Sequence, residues 1–213
     1  MAKHTLTSAD IVSVLNKLAD DLEGHTEELR QLDAVIGDGD LGITTALCSK
    51  AIREHFASAS ESNIGSLIAR CGLSINKASP STFGTLLASA FLSAGKMVTG
   101  KESIDSNDLV QMAEGAIDGI KKRGKAELGD KTMLDCIAPA ADAFRKQIEA
   151  GSDLKKSLEE ATSAAKQGVK ATIQMMSKHG RASWHRENTI GVQDAGATAM
   201  YYMIESFARH LLE

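Results

Sequence analysis

Three aspartates that lie close together in the sequence could bind a metal ion. The segment 32–42 reads LDAVIGDGDLG and contains Asp33, Asp38 and Asp40, three glycines and no Lys or Arg. Clustered carboxylates repel one another unless a cation neutralises them, and a site built from oxygen ligands alone favours a hard ion such as Mg²⁺ or Ca²⁺. Because glycines let the backbone come close to a ligand, the segment predicts a metal site in a loop.

Two other interpretations of this segment compete with the metal site. In a solvated turn, Asp38 and Asp40 would only cap the following helix, which leaves Asp33 unexplained. An EF-hand loop counted from Asp38 would need Asp or Asn where Gly42 stands and Glu where Ser49 stands, so it is excluded. Mg²⁺ usually binds few protein carboxylates and completes its shell with water and phosphate oxygens. The site is therefore expected to be completed by a phosphate-bearing ligand.

Two further polar segments could contribute groups to such a ligand. In segment 78–85, small and hydroxyl-bearing residues precede a helix, where backbone N–H groups can face an anion. The simpler interpretation is a Ser or Thr helix cap with Pro80 near the first turn. Segment 123–133 is charged and punctuated by glycines, but it is not a P-loop, because Asp130 follows Gly129 where that motif requires Lys.

The last polar segment, residues 180–198, contains two candidates. Arg181 could hold a phosphate through its guanidinium group, although a solvated Arg is the ordinary case, and Asp194 could cap the final helix. The six histidines occur at no metal-ligand spacing. There is no G-x-S-x-G motif and no Cys/His arrangement that would predict covalent hydrolase chemistry.

The elements that must position these segments are predicted to be helices. Apolar residues recur at helical spacing, as in Ile11, Val14, Leu15, Leu18 and Leu22, and no run shows the clean alternation of a strand. The pattern predicts an all-α, single-domain antiparallel helical barrel or bundle of about eight helices with short connections. The predicted helical segments are 8–22, 43–57, 63–77, 82–98, 107–122, 132–150, 154–178 and 195–212.

Composition narrows the class of protein further. The chain has 213 residues, of which 43% are hydrophobic and 24% charged, as in an ordinary globular protein. The net charge is −4 with no basic stripe, so neither nucleic acid nor an anionic membrane is an expected partner. No apolar run approaches the roughly 20 residues needed to span a bilayer, and no secretory signal is evident. The scattered residues Cys48, Cys71 and Cys136 predict buried thiols in a reducing cytoplasm.

Taken together, these segments resemble the L subunit of the dihydroxyacetone kinase family, which is equivalent to the nucleotide-binding domain of the single-chain, ATP-dependent kinases. The similar stretches occur in family order and span nearly the whole chain. They are Asp33 with residues 37–42, and then residues 83–85, 123–133, 180–183, 190–191 and 193–198.

The resemblance implies a helical barrel with ADP or ATP at one end, its phosphates bridged by two Mg²⁺ ions on Asp33, Asp38 and Asp40. It implies a carrier that a phosphotransferase-system protein, the M subunit, rephosphorylates, and that passes the phosphoryl group to a ketose on a separate K subunit. A homodimer is left open. The implied nucleotide contacts are Leu41, Gly42, Ile43, Thr44, Ala78, Ser79, Gly124, Met133, Arg181, Asp194, Ala195 and Gly196.

The chain differs from the family at three places. Leu41 stands where the family usually has His, and Ala195 stands where it usually has Pro. The segment 76–82 is shorter and lacks paired glycines, which predicts looser retention of nucleotide and leaves a tetrulose open as the substrate in place of dihydroxyacetone. The competing hypotheses are a kinase subunit that exchanges ATP freely, a non-catalytic ADP-sensing partner of a regulator, and a bare helical interaction module.

Overall fold

Helices form nearly all the regular structure in the computed structural model, which describes residues 5–57 and 62–212. The α-helices of these two stretches are α1 (Ser8–Gly24), α2 (Thr26–Ile36), α3 (Leu41–Ala57), α4 (Ile64–Ala78), α5 (Thr82–Met97), α6 (Ser106–Gly124), α7 (Leu134–Glu149), α8 (Leu154–Ala171) and α9 (Ala195–Leu211). Two 3₁₀ segments (Thr172–Gln174 and Arg181–Thr189) and an antiparallel pair of short strands, β1 (Leu6–Thr7) and β2 (Ser103–Ile104), accompany them. The predicted all-α class is confirmed, and the predicted count of about eight helices becomes nine α-helices in the described residues.

All of these helices except α2 form a closed ring. α1 contacts α3, each helix from α3 to α8 contacts the next one in the chain, and α9 closes the ring against α1. Because helices that follow one another in the chain pack side by side, successive helices of the ring run antiparallel. Alternate connections therefore emerge at the same end of the barrel, and the connections 25–40, 79–81, 125–133 and 172–194 share one end.

The barrel is held by apolar packing and by close backbone contacts between helices. A Cβ on Gly65 would lie 2.6 Å from the carbonyl oxygen of Gly95, and a Cβ on Gly95 would lie 2.5 Å from that of Gly65, so α4 and α5 meet through their backbones. Each fully buried Leu or Ile in the core contributes about 1.5–3 kcal/mol through removal of apolar surface from water. Helices α5 to α9 also line an apolar cavity of about 230 Å³ beside Met112, Phe144 and Phe207.

A polar cluster joins the first and last helices of the ring. Asp21 of α1 accepts hydrogen bonds from Ser206 Oγ at 2.5 Å and His210 Nε2 at 2.8 Å, and it pairs with Arg209. Its three partners all belong to α9, so this single carboxylate ties the two ends of the helical sequence together.

The sequence prediction missed α2 and extended α8 too far. α2 buries only Leu29 and Ile36, so its apolar pattern is too sparse to reveal a helix. The predicted helix 154–178 is too long, because α8 ends at Ala171, a 3₁₀ turn covers Thr172–Gln174, and the chain becomes extended at Met175. The smaller differences at other helix ends are of the usual one or two residues. Both missed features lie at the end of the barrel that carries the polar connections.

Three cysteines, Cys48, Cys71 and Cys136, are buried free thiols, as predicted. Burial raises the pKa of the Cys48 thiol to about 11, so this thiol stays protonated at neutral pH. No helix in the described part of the chain is long and apolar enough to cross a membrane.

Candidate metal and phosphate site

The end of α2 positions the first aspartate. Asp33 lies in the last turn of α2, where its carbonyl oxygen accepts a hydrogen bond from Gly37 N at 2.6 Å. Its carboxylate oxygen Oδ2 accepts a hydrogen bond from Leu41 N at 3.3 Å, which links α2 to the start of α3. A Cβ at position 37 would lie 2.2 Å from Asp33 Oδ1, and Gly39 takes a positive φ of 72°. These two glycines therefore let the chain fold back beside the carboxylate.

The fold brings the three predicted metal ligands together. Asp33, Asp38 and Asp40 each offer an oxygen such that all three oxygens lie within 4.8 Å of one another. Asp38 is exposed and the other two are partly buried. Burial, and then the neighbouring charge of Asp33, raise the pKa of Asp40. The residues fit a hard divalent cation, because such an ion would relieve this repulsion and accepts oxygen ligands.

Arg181 is the one cationic side chain bonded to this triad within the described residues. Its Nη1 donates a hydrogen bond to Asp40 Oδ2 at 3.2 Å and forms an ion pair with Asp38. The guanidinium therefore neutralises part of the carboxylate charge. This contact joins positions 141 residues apart in the sequence, and it brings the segment after α8 over the loop before α3.

The N-terminus of α9 lies within electrostatic reach of the triad. Asp194 caps this helix by accepting a hydrogen bond from Ala197 N at 2.7 Å. Burial raises the pKa of Asp194 to about 6, with smaller contributions from the charges of Asp135 and Asp33, while the Ala197 hydrogen bond and Lys131 oppose the rise. A Cβ on the next glycine, Gly196, would lie 3.9 Å from the Phe83 ring. The predicted contact Gly196 therefore lies beside the first turn of α5.

The remaining predicted nucleotide contacts differ in how far they are exposed to solvent. Ser79 is buried and its hydroxyl lies 3.4 Å from Ser81 Oγ. Gly42 packs so closely on α2 that a Cβ would lie 2.3 Å from Thr26 O, while Ile43 is 64% exposed.

Several of the predicted nucleotide contacts have buried side chains. Leu41, Thr44, Ala195 and Met133 are buried, so their backbones rather than their side chains could meet a ligand. Gly124 packs on Leu86 of α5, while Ala78 is exposed at the end of α4. The structure thus brings the predicted contacts to one end of the barrel, and their role in binding stays a prediction.

Sequence reasoning missed two features of the end of the barrel that carries the acidic loop. Lys131 is 2% exposed and places its ammonium group on three backbone carbonyls, although a loop lysine is usually solvated. Trp184, the one tryptophan of the sequence, is 82% exposed on the Arg181–Thr189 segment. The only sequence signal for Lys131 was its place in a glycine-flanked, charged loop, and that signal does not reveal burial.

The raised pKa of Asp194 predicts a pH dependence of stability. The carboxyl group has a pKa near 6 when folded and near its ordinary value of 3.8 when unfolded, so the folded state binds the proton more tightly. Its contribution to stability is therefore fully present below about pH 3.8 and is lost as the pH rises through 6.

For the metal-free protein in EDTA, we expect the free energy of unfolding in urea to be about 1 kcal/mol greater at pH 5 than at pH 7. Asp194→Asn keeps the helix cap and should remove most of this difference. If the variant keeps the whole pH dependence of the parent protein, the assignment to Asp194 is wrong.

Solved structures define the class of fold to which the barrel belongs. The dihydroxyacetone kinase of C. freundii matches with a TM-score of 0.76 and 24% identity over 96% of this chain, and the chain spans 35% of that protein. The structure of that kinase in complex with AMP-PNP and Mg²⁺ matches with a TM-score of 0.74 over 97% of this chain. The helical barrel is therefore a fold that occurs as about one third of a larger kinase.

Sequence relatives identify the family. The DAK2 domain matches residues 35–209. The ADP-binding subunit DhaL of the PEP-dependent dihydroxyacetone kinase of Escherichia coli (strain K12) is 31% identical, over 96% of this chain and 97% of that protein. The ADP-binding subunit DhaL of the PTS-dependent enzyme of Lactococcus lactis is 28% identical, over 94% and 96%. The L-erythrulose 1-kinase of Mycolicibacterium smegmatis is 28% identical, over 95% of this chain and 35% of that protein.

This chain belongs to the DAK2 domain family, and with it to the dihydroxyacetone kinase family of phosphotransferases. The resemblance predicted from the acidic loop and the segments that follow it is confirmed.

Proposed function

We propose that this chain is the nucleotide-holding subunit of a dihydroxyacetone-type kinase and passes a phosphoryl group to a short ketose on a separate K-type subunit. The observation that carries the proposal is the meeting of Asp33, Asp38, Asp40 and Arg181 at one end of the barrel. The chain also spans 97% of a relative named as an ADP-binding kinase subunit. We further propose that residues 1–213 form one nucleotide-binding domain.

The acidic triad is proposed to bind the nucleotide through metal. Asp33, Asp38 and Asp40 would hold two Mg²⁺ ions, which supply charge neutralisation to the phosphates of ADP or ATP. The named complex of the C. freundii enzyme with AMP-PNP and Mg²⁺ supports this choice of ligand. Twelve further residues, described above, are proposed to contact the nucleotide, mostly through their backbones.

Arg181 and the helix ends would then act on the phosphates. Once the aspartates are neutralised by metal, the Arg181 guanidinium is free to donate to a phosphate oxygen, and the N-termini of α5 and α9 add partial positive charge. The bond from the γ-phosphorus to the bridging oxygen of ADP breaks, a bond to the ketose hydroxyl oxygen forms, and ADP stays on this chain. This chain would contribute positioning and charge neutralisation, which phosphoryl transfer mainly needs. We assign the base that takes the hydroxyl proton to the ketose-holding subunit, because that subunit surrounds the hydroxyl group.

A protein surface must cover this site during transfer, because the acceptor has to reach the phosphate while water is excluded. Trp184 is 82% exposed on the same segment as Arg181, and Val35 of α2 is 59% exposed beside the acidic loop. Exposed aromatic residues of this kind frequently anchor protein interfaces. We propose that the K-type subunit docks against this end of the barrel.

The donor that recharges the nucleotide is proposed to be a phosphotransferase-system M-type subunit. The relatives from E. coli and L. lactis, named as PEP-dependent and PTS-dependent, support this choice because the chain matches nearly their whole length. The erythrulose kinase of M. smegmatis, which the chain spans to 35%, supports a tetrulose as the alternative acceptor.

Reconstituted transfer tests the proposed function. The purified chain, loaded with MgATP, is mixed with an equal amount of a K-type subunit and either dihydroxyacetone or erythrulose, and the ketose phosphate formed in a single turnover is followed by ³¹P NMR. We expect product with one of the two ketoses, only when both proteins are present. Nucleotide binding without product from either ketose would favour an ADP-sensing partner instead, and product from this chain alone would contradict the need for a K-type subunit.

A further inference from the structure

Lys131 is a fully buried cation whose bonds all go to one segment. Its ammonium group donates hydrogen bonds to the carbonyl oxygens of Met175 at 3.2 Å, Thr189 at 2.5 Å and Val192 at 2.6 Å. A lysine has three N–H donors, so these carbonyls use all of them. The residue also adopts a left-handed backbone conformation with φ of 60°, which is unfavourable for a lysine and persists only where the surroundings impose it.

Lys131 holds residues 175–192, which connect α8 to α9 and are here called the Arg181 segment. The segment has two limbs, residues 175–180 before Arg181 and residues 182–192 after it. The limbs are bonded to each other, because Ser177 N donates a hydrogen bond to Thr189 Oγ1 at 3.0 Å. Lys131 contacts both limbs near their base. Arg181 lies between the limbs in sequence and reaches the carboxylates of Asp38 and Asp40.

The residue before Lys131 is bonded to the first limb of the same segment. Asp130 accepts hydrogen bonds from Lys178 Nζ at 2.6 Å and His179 Nε2 at 3.0 Å, and its carbonyl oxygen accepts one from Lys178 N at 3.2 Å. Residues 130 and 131 therefore act on the same segment with opposite charges. An apolar side chain at position 131 would fill space but would leave three carbonyl oxygens without their donor.

We propose that Lys131 is a positioning residue for phosphoryl transfer, holding the base of the Arg181 segment so that Arg181 stays over the acidic loop. This inference rests on the proposed function for its kinetic consequence, but its structural part stands without any nucleotide. The three aspartates come from α2 and the loop before α3, whereas the hydrogen bonds of the Lys131 ammonium group go to Met175, Thr189 and Val192. Loss of Lys131 should therefore reduce the transfer rate more than it weakens nucleotide binding.

The first test uses the metal-free protein and Lys131→Met, which keeps most of the length and removes the charge. Trp184 reports directly on the Arg181 segment as the single tryptophan. We expect lower fluorescence anisotropy of Trp184 and at least tenfold faster cleavage by trypsin after Arg181 and Arg186 in the variant. Ser206→Ala, which removes one hydrogen bond to Asp21 between α1 and α9, is the control for general loss of stability and should leave both readouts unchanged.

The second test is kinetic and uses the reconstituted transfer reaction. We expect Lys131→Met to lower the single-turnover rate constant of transfer at least tenfold and to change the Kd for MgATP by less than about threefold, because misplacement of a charged group by about 1 Å can cost up to a hundredfold in rate. In the Arg181→Ala background the same substitution should have little further effect on this rate constant. Equal loss of the rate constant in both backgrounds would show that Lys131 does not act through Arg181.

The outcomes separate the two proposals. Unchanged anisotropy and unchanged trypsin cleavage in Lys131→Met would overturn the positioning role, whatever the activity. A parent protein that neither binds MgADP nor supports transfer would contradict the proposed function, while the metal-free readouts would still decide the role of Lys131. If Lys131→Met does not fold, Asp130→Asn removes the charge that holds Lys178 and His179 and should give the same two structural changes to a smaller degree.

Discussion

Replacing Asp38 by Asn should weaken the binding of MgADP by about 100-fold or more, which corresponds to about 2.7 kcal/mol. Asp38 is one of three carboxylates whose oxygens lie within 4.8 Å of one another. Asn keeps the shape of the side chain but removes the charge that a divalent cation needs. Isothermal titration calorimetry of the metal-free protein with MgADP measures the loss.

The same variant should lose no more than about 1 kcal/mol of stability without ligand, because Asp38 is exposed and its contact with Arg181 is a surface ion pair. Relief of the repulsion from the other two carboxylates acts in the opposite direction. Asp118→Asn, an exposed carboxylate on α6, is the matched control and should bind MgADP like the parent protein. If Asp38→Asn binds MgADP with unchanged affinity, the acidic triad is not the metal site.

Replacing Arg181 by Ala should lower the rate of phosphoryl transfer by about 100- to 1,000-fold, the usual effect of losing one donor that stabilises developing charge. The guanidinium lies on Asp38 and Asp40, within reach of any phosphate that a metal on those aspartates would hold. Binding of MgADP should change less than tenfold, since the triad remains. Single-turnover transfer to the K-type subunit separates the chemical step from binding.

Two further variants make this result specific. Arg181→Lys keeps the charge but loses the planar fork, so we expect it to recover only part of the rate. Arg186→Ala removes an exposed arginine from the same segment and should transfer at the parent rate. Equal rates for Arg181→Ala and Arg186→Ala, with docking of the K-type subunit unchanged in both, would mean that position 181 has no special role.

Much of the fold was predictable because the core helices repeat their apolar residues at helical spacing. α1 buries Ile11, Val14, Leu15 and Leu18 in this way, and the same pattern marks most of the ring. α2 was not predicted, because it lies at the end of the barrel and buries only two residues. α8 was extended too far because the sequence around Met175 still has apolar residues, while the bond from Lys131 to Met175 O comes from a distant part of the chain.

The site was predictable only where its residues lie close together in the sequence. The acidic loop is local in sequence, so residue types and spacing alone marked Asp33, Asp38 and Asp40 as a group. The contact of Arg181 with this loop joins residues 141 positions apart, and the burial of Lys131 depends on carbonyl groups from a segment far along the chain. No local pattern carries such information, so these two features needed the folded structure.

Native mass spectrometry of the purified chain, with and without EDTA, tests whether the acidic triad holds a metal-bound nucleotide. We expect the chain supplied with MgADP to gain the mass of one ADP and two Mg²⁺ ions, and EDTA to remove this gain. Asp38→Asn, measured in parallel, should lack it. A parent chain that stays at its bare mass in saturating MgADP would contradict the proposal that this end of the barrel holds a metal-bound nucleotide.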